Sequence, residues 1–134
     1  MSMKKNWWKY LCIVLLFYTI IAGFLGPIPQ LNILEESIRN LYFHVPMWFS
    51  MMAMMLVSLV FSIRYLSKQK ITDDIVAASF AKVGFIFGLL GVITGSVWAR
   101  ATWGAWWVFA EVKLNGAGAA LLVYAAYFIL RGSF

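Results

Sequence analysis

The chain carries one histidine, His44, and its stretch Trp103-Gly-Ala-Trp-Trp-Val-Phe109 packs three indoles and a phenylalanine into seven residues. These side chains suit two different kinds of chemistry. A neutral imidazole can offer one ring nitrogen to a metal while a neighbour holds the other. Indoles offer broad apolar faces, and tryptophan is enriched where membrane meets water. A run this dense makes a flat, rigid wall for a planar apolar molecule. Arg100 and Lys113 flank it and bring positive charge to its edges. The plainer alternatives are an interfacial histidine bonded to a loop carbonyl and a short stretch of aromatic belt.

The elements that must position these residues belong in a membrane. Of 134 residues, 63% are hydrophobic and 12% charged, about half the charge of an ordinary soluble domain. A chain of this length is one domain, too small to hide so much apolar surface in a water-soluble core. Eleven Lys and Arg stand against five acids. Those bases lie in short clusters beside apolar segments, which points to orientation in a bilayer and not to nucleic acid. The single cysteine, Cys12, sits inside an apolar segment, which excludes an internal disulfide, a CxxC pair and a cysteine-rich metal site.

Hydropathy and helix breakers predict an all-α integral membrane protein with four transmembrane helices. The expected spans are about residues 10–25, 46–65, 73–98 and 115–130. The first stops at Gly26-Pro-Ile-Pro29, which cannot continue a helix. It reads as a retained helix and not as a cleaved signal peptide. Pro46 suits the first position of the second helix. Thr72 suits the N-cap of the third, with Asp73 and Asp74 complementing its positive end. An inside N-terminus leaves eight basic residues inside (Lys4, Lys5, Lys9, Arg64, Lys68, Lys70, Lys82, Arg131) and three outside (Arg39, Arg100, Lys113). The positive-inside tendency therefore puts both termini in the cytoplasm. His44 and the Trp run then share the outer face, in loops over residues 26–45 and 99–115.

Two patterns refine that outline. Over Leu31–Phe43, the apolar Ile33, Leu34, Ile38, Leu41 and Tyr42 share one helical face, and Glu35, Glu36, Arg39 and Asn40 take the rest. That suits a short helix lying on the membrane surface and delivering the chain to His44. Gly84, Gly88, Gly91 and Gly95 recur at spacings of four, three and four, a smooth stripe for close helix approach. Met47, Met51, Met52, Met54 and Met55 read as flexible packing and not as metal ligands.

An axial donor, a flat apolar wall and cations for carboxylates are the parts needed to hold a porphyrin. Ile93-Thr-Gly-Ser-Val-Trp98 followed by Trp103-Gly-Ala-Trp-Trp-Val-Phe109 resembles the tryptophan-rich signature of the haem-handling proteins of cytochrome c maturation. Arg39-Asn-Leu-Tyr-Phe-His44-Val-Pro46 resembles the stretch around the first histidine in one branch, the haem exporter protein C (CcmC) family. Related branches, the haem lyase subunits and CcsA-type proteins, usually follow the loop's Asp with Pro and Glu. Here Val112-Lys113-Leu114 stands instead, which favours the CcmC branch.

The resemblance implies a protein of the inner (cytoplasmic) membrane that holds b-type haem transiently at its outer face. His44 matches an axial ligand to the haem iron, and Trp103, Gly104, Trp106 and Trp107 match the loop signature. The implied partners are membrane lipid, a CcmE-like haem chaperone, and CcmA-, CcmB- and CcmD-like transporter subunits. One departure is local: where the family reads Trp-Asp, this chain has Phe109-Ala110-Glu111, so Glu111 aligns with the Asp after one inserted residue. The other is one of extent. The resemblance covers four of the family's six helices, so the chain reads as truncated relative to that pattern, without the second histidine.

The competing expectation is a non-catalytic membrane subunit whose aromatic loop docks a partner protein. No enzyme reading competes, because no Ser or Cys nucleophile stands beside a base and no Gly-rich phosphate loop is present.

Overall fold

A computed structural model describes residues 3–29 and 35–133. It is an all-α membrane protein, and its four helices are long and apolar enough to cross a bilayer: α1 (Met3–Leu25), α2 (Leu41–Lys68), α3 (Ile71–Trp103) and α4 (Val112–Gly132). At 1.5 Å per residue, the 33 residues of α3 extend about 50 Å, well beyond the roughly 30 Å hydrocarbon core. The helix therefore carries its two ends past the apolar layer. It is also the central helix. A third of its most apolar window is buried in protein, against 6% for each of the others, so α1, α2 and α4 leave most of their apolar surface outside the bundle.

The glycine stripe explains that centrality. A Cβ at Gly84 would meet Met55 Cε at 3.1 Å, and one at Gly88 would meet Leu121 Cδ2 at 2.7 Å and Met51 Sδ at 3.1 Å. Glycine thus lets α2 and α4 press onto α3 where any side chain would hold them off. The methionines of α2 fill the remaining gaps, as their flexibility allows. Toward the α2–α3 turn, the buried Ser58 hydroxyl donates to the Ala77 carbonyl at 2.8 Å, tying α2 to α3.

Several expected boundaries move. Pro46 lies inside α2, which starts five residues earlier at Leu41. Proline offers no N–H to the Tyr42 carbonyl, yet the turn before it is held from outside the helix. Asn40 Nδ2 donates to the Thr94 carbonyl at 2.9 Å, and Phe43 stacks on Phe24 with ring centroids 5.1 Å apart. The expected surface helix falls partly on residues 30–34, outside the described residues. Its described part is a 3₁₀ turn, Glu35–Asn40, that runs straight into α2.

Arg39 in that turn caps α1 and does not face solvent as part of a polar stripe. Its Nη1 donates to the carbonyls of Gly26 at 2.7 Å and Gly23 at 3.3 Å, and carbonyls at a helix C-terminus have no partner within the helix.

Thr72 is not an N-cap, because α3 already begins at Ile71 after an extended Lys70. Asp73 and Asp74 face other helices. Asp73, 5% exposed, lies 3.5 Å from Arg64 of α2, and Asp74 accepts from Arg131 of α4 at 2.9 Å. At its far end α3 runs on through Ala99–Trp103 until Gly104, at φ 76°, stops it in the left-handed conformation that glycine adopts freely. The second loop therefore shrinks to residues 104–111.

Candidate functional site

Gly95 is the stripe's last glycine, and it seats His44. A Cβ there would come within 2.8 Å of His44 Cε1. The imidazole is held at both nitrogens. Nδ1 lies 3.1 Å from the Thr94 hydroxyl, and Nε2 accepts from the Trp48 indole N–H at 3.0 Å. Trp48 follows His44 by one helical turn, and its own ring sits over Gly91, where a Cβ would meet Cε2 at 3.1 Å. Trp98 approaches from α3 edge-on, its ring centroid 6.1 Å from that of the imidazole. The buried Trp98 indole N–H has no hydrogen-bond partner among the described residues. His44 thus stands between two indoles at the junction of α2 and α3.

A cavity of about 630 Å³ opens beside it, within the range typical of small-molecule sites. His44, Trp48 and Trp98 line one side of it. Trp103, Ala99 and Thr102 from the end of α3 and Glu111, Lys113, Leu114 and Ala117 from the start of α4 line the rest. The lining is mostly aromatic and aliphatic, with an imidazole on one side and one acid and one base at the α4 end. That donor set fits a flat apolar disc with an open axial position and carboxylates at its edge.

The expected loop residues divide. Trp103 lines the cavity while remaining 58% exposed. Trp107 does not line it. Its ring packs over Gly118, and its N–H donates to Asn115 Oδ1 at 3.1 Å, while Asn115 Nδ2 donates to the Phe109 carbonyl at 2.6 Å. It fastens the loop to α4. Trp106 is 61% exposed and also stands outside the lining, as does Gly104, whose work is to end α3. Arg100 turns back to donate to the Gly104 carbonyl, so Lys113 is the base that reaches the cavity.

Trp48, Thr94 and Gly95 join the site without being candidates in the sequence. Trp48 had a readable signal, since positions i and i+4 share a helical face. A helix that begins at Pro46 hides it, because His44 then falls outside the helical repeat. Gly95 lies on the glycine stripe, whose spacing marks a close approach but not the ring that fills it, and Thr94 meets His44 only through the packing of α3 on α2.

Comparison with known proteins bears on the family. The chain is 28% identical over 111 residues to heme exporter protein C of Paracoccus denitrificans, a match covering 83% of this chain and 45% of that protein. It is 28% identical over 99 residues to heme exporter protein C of Escherichia coli K12, covering 74% and 40%. A shorter stretch of 49 residues is 45% identical to the cytochrome c biogenesis protein CcsA of Prochlorococcus marinus MIT 9515, covering 37% and 15%. The chain therefore spans less than half the length of these curated relatives. The CcmC family model, heme exporter protein C, matches residues 1–134 in full, and the chain belongs to that family.

Proposed function

We propose that this chain holds haem at the outer face of the inner (cytoplasmic) membrane and presents it to a haem chaperone for cytochrome c maturation. The observation that carries this reading is the meeting of His44, Trp103, Glu111 and Lys113 around one aromatic cavity. Haem is a cargo here, bound transiently as the b-type molecule and released unchanged, and the chain is not an enzyme. His44 supplies an axial nitrogen, Trp98 and Trp103 supply apolar wall, and Lys113 meets a propionate. Glu111 takes the place of the family's acidic residue at the mouth. Gly104 and Trp107 shape the loop, Gly104 by ending α3 and Trp107 by pinning the loop to α4.

Trp106 and Phe109, 61% and 83% exposed, support a second use of the same loop. They form an edge against which a CcmE-like acceptor docks, while lipid-facing helix surface meets CcmA-, CcmB- and CcmD-like subunits. Orientation rests on the eight-to-three distribution of basic residues. Cysteines introduced at Ser37 and Ala105 should be labelled from the outside, and those at Gln69 and Ser133 from the cytoplasm. Labelling of Ser37 and Gln69 from one side would overturn that topology.

The haem reading is tested by titrating hemin into the chain purified in detergent. A Soret band distinct from that of free hemin should develop. With one histidine in the chain, the complex should be weak or five-coordinate, and added imidazole should convert it to a low-spin, six-coordinate spectrum. A titration indistinguishable from detergent micelles alone would refute the reading.

A further inference from the structure

The two hydrogen bonds to His44 fix which nitrogen carries its proton. An indole N–H can only donate, so the bond from Trp48 requires a lone pair on Nε2. The neutral ring then carries its proton on Nδ1. Thr94 is ready to accept it. Its one hydroxyl proton is directed to the carbonyls of Leu90 and Gly91, at 2.8 and 3.1 Å, which leaves its oxygen lone pairs for Nδ1–H. The tautomer is the one suited to ligation through Nε2, with the other nitrogen steadied by a neighbour. Yet the lone pair that a metal would use is already occupied.

We infer that Trp48 gates the ligand: its indole N–H caps the Nε2 lone pair of His44 when no haem is bound, and this bond must break before that nitrogen can bind iron. The inference rests on the haem reading above. The geometry makes the cap specific. Gly95 brings the His44 ring against α3 at a distance a Cβ would forbid, and Gly91 brings the Trp48 ring to one a Cβ would crowd, so the two rings are registered by the same helix. Trp48 and His44 both line the cavity, so the bond lies where an arriving ligand would compete for it. Trp48 is then a positioning residue that opposes loading and favours release, while Thr94 favours loading by holding the tautomer. A transient carrier needs both.

The opposed roles give opposite signs. Trp48→Phe keeps a ring over Gly91 but removes the N–H. It should tighten hemin binding about three- to tenfold, the worth of one competing hydrogen bond. Thr94→Val keeps the shape and removes the acceptor, and it should weaken binding about tenfold or more, as losing a ligand's outer partner does. Tighter binding in Thr94→Val would mean ligation through Nδ1 and would overturn the gate, as would unchanged or weaker binding in Trp48→Phe.

A second readout needs no haem. Because His44 is the one histidine, ¹⁵N-histidine labelling of the full chain in detergent reports this ring alone. The spectrum should show a protonated Nδ1 and a hydrogen-bonded, unprotonated Nε2, and only the Nε2 signal should move strongly in Trp48→Phe. The opposite tautomer would overturn the inference even if hemin binds. If His44→Ala leaves the hemin spectrum unchanged, the haem reading fails and takes the gate with it. A spectrum changed by His44→Ala but a Trp48→Phe variant that binds no more tightly sinks the gate alone.

Discussion

The two ends of the helix bundle solve the problem of polar groups beside a membrane in opposite ways. At the end holding the α2–α3 turn, charges are matched across helices: Arg64 with Asp73, and Arg131 with Asp74. At the other end the polar groups around the cavity are mostly neutral, namely an imidazole, two threonines and indole N–H groups, with Lys113 and Glu111 also in the lining. The first end matches its charges within the protein, although Asp73 Oδ2 is buried without a hydrogen-bond partner among the described residues. The second keeps a space of about 630 Å³ walled by rings. Charge pairing spends the binding capacity of its groups within the protein, whereas a site must leave some of it for a ligand. Beside the cavity, the Trp98 N–H, unpartnered among the described residues, and the bond capping His44 Nε2 mark where that capacity remains.

The comparison predicts that stability and haem binding separate along the bundle. The largest stability effect should come from Arg64→Ala, which leaves the buried Asp73 carboxylate without its counter-charge. A loss of about 1–3 kcal/mol is expected, below the range for a fully buried pair because Arg64 itself is half-exposed. Hemin affinity should hold. A thermal melt in detergent beside a hemin titration would check both, and a parallel fall in affinity would break the separation of the two ends.

Gly88→Leu should cost a similar or slightly smaller amount, about 1–3 kcal/mol, since even its Cβ would lie 2.7 Å from Leu121. An unchanged melting temperature would mean that α4 does not seat on the stripe. The stripe shows how far sequence alone reaches. Its spacing identified a packing face, because glycine periodicity is a property of one helix. That Gly88 meets α4 while Gly91 and Gly95 meet two rings of α2 is a property of three helices, and no single segment encodes it. The four helices were legible for the same local reason, as apolar length. Their ends were not. Asn40 and Phe43 lengthen α2 through contacts with α3 and α1, and Arg39, read as part of a polar face, proved to be the cap of α1.

The candidate site was legible in its chemistry and less so in its membership. His44 and Trp103 share one cavity, but two of the loop's three indoles stand outside it, and Trp48 and Trp98 supply wall in their place. Trp106→Ala should therefore have the smallest effect: stability within about 0.5 kcal/mol, as for an exposed position, and hemin affinity reduced by a few-fold at most. Trp103→Ala should reduce retention more, because its ring faces the cavity. A ranking with Trp106 ahead of Trp103 would move the porphyrin wall out onto the exposed edge of the loop.

The most direct test of the account is the hemin titration of His44→Ala, followed by absorbance and by retention through gel filtration. His44 reaches α3 through the Thr94 hydroxyl and packs on Gly95 without closing the core of the bundle, so the variant should still fold and its far-UV circular dichroism should match the parent. The account predicts that the axial-ligand signature in the Soret region disappears, that affinity falls by more than tenfold, and that free imidazole restores the band. The same Soret maximum and the same retention in His44→Ala would contradict it, because the haem would then be held by something other than this ring.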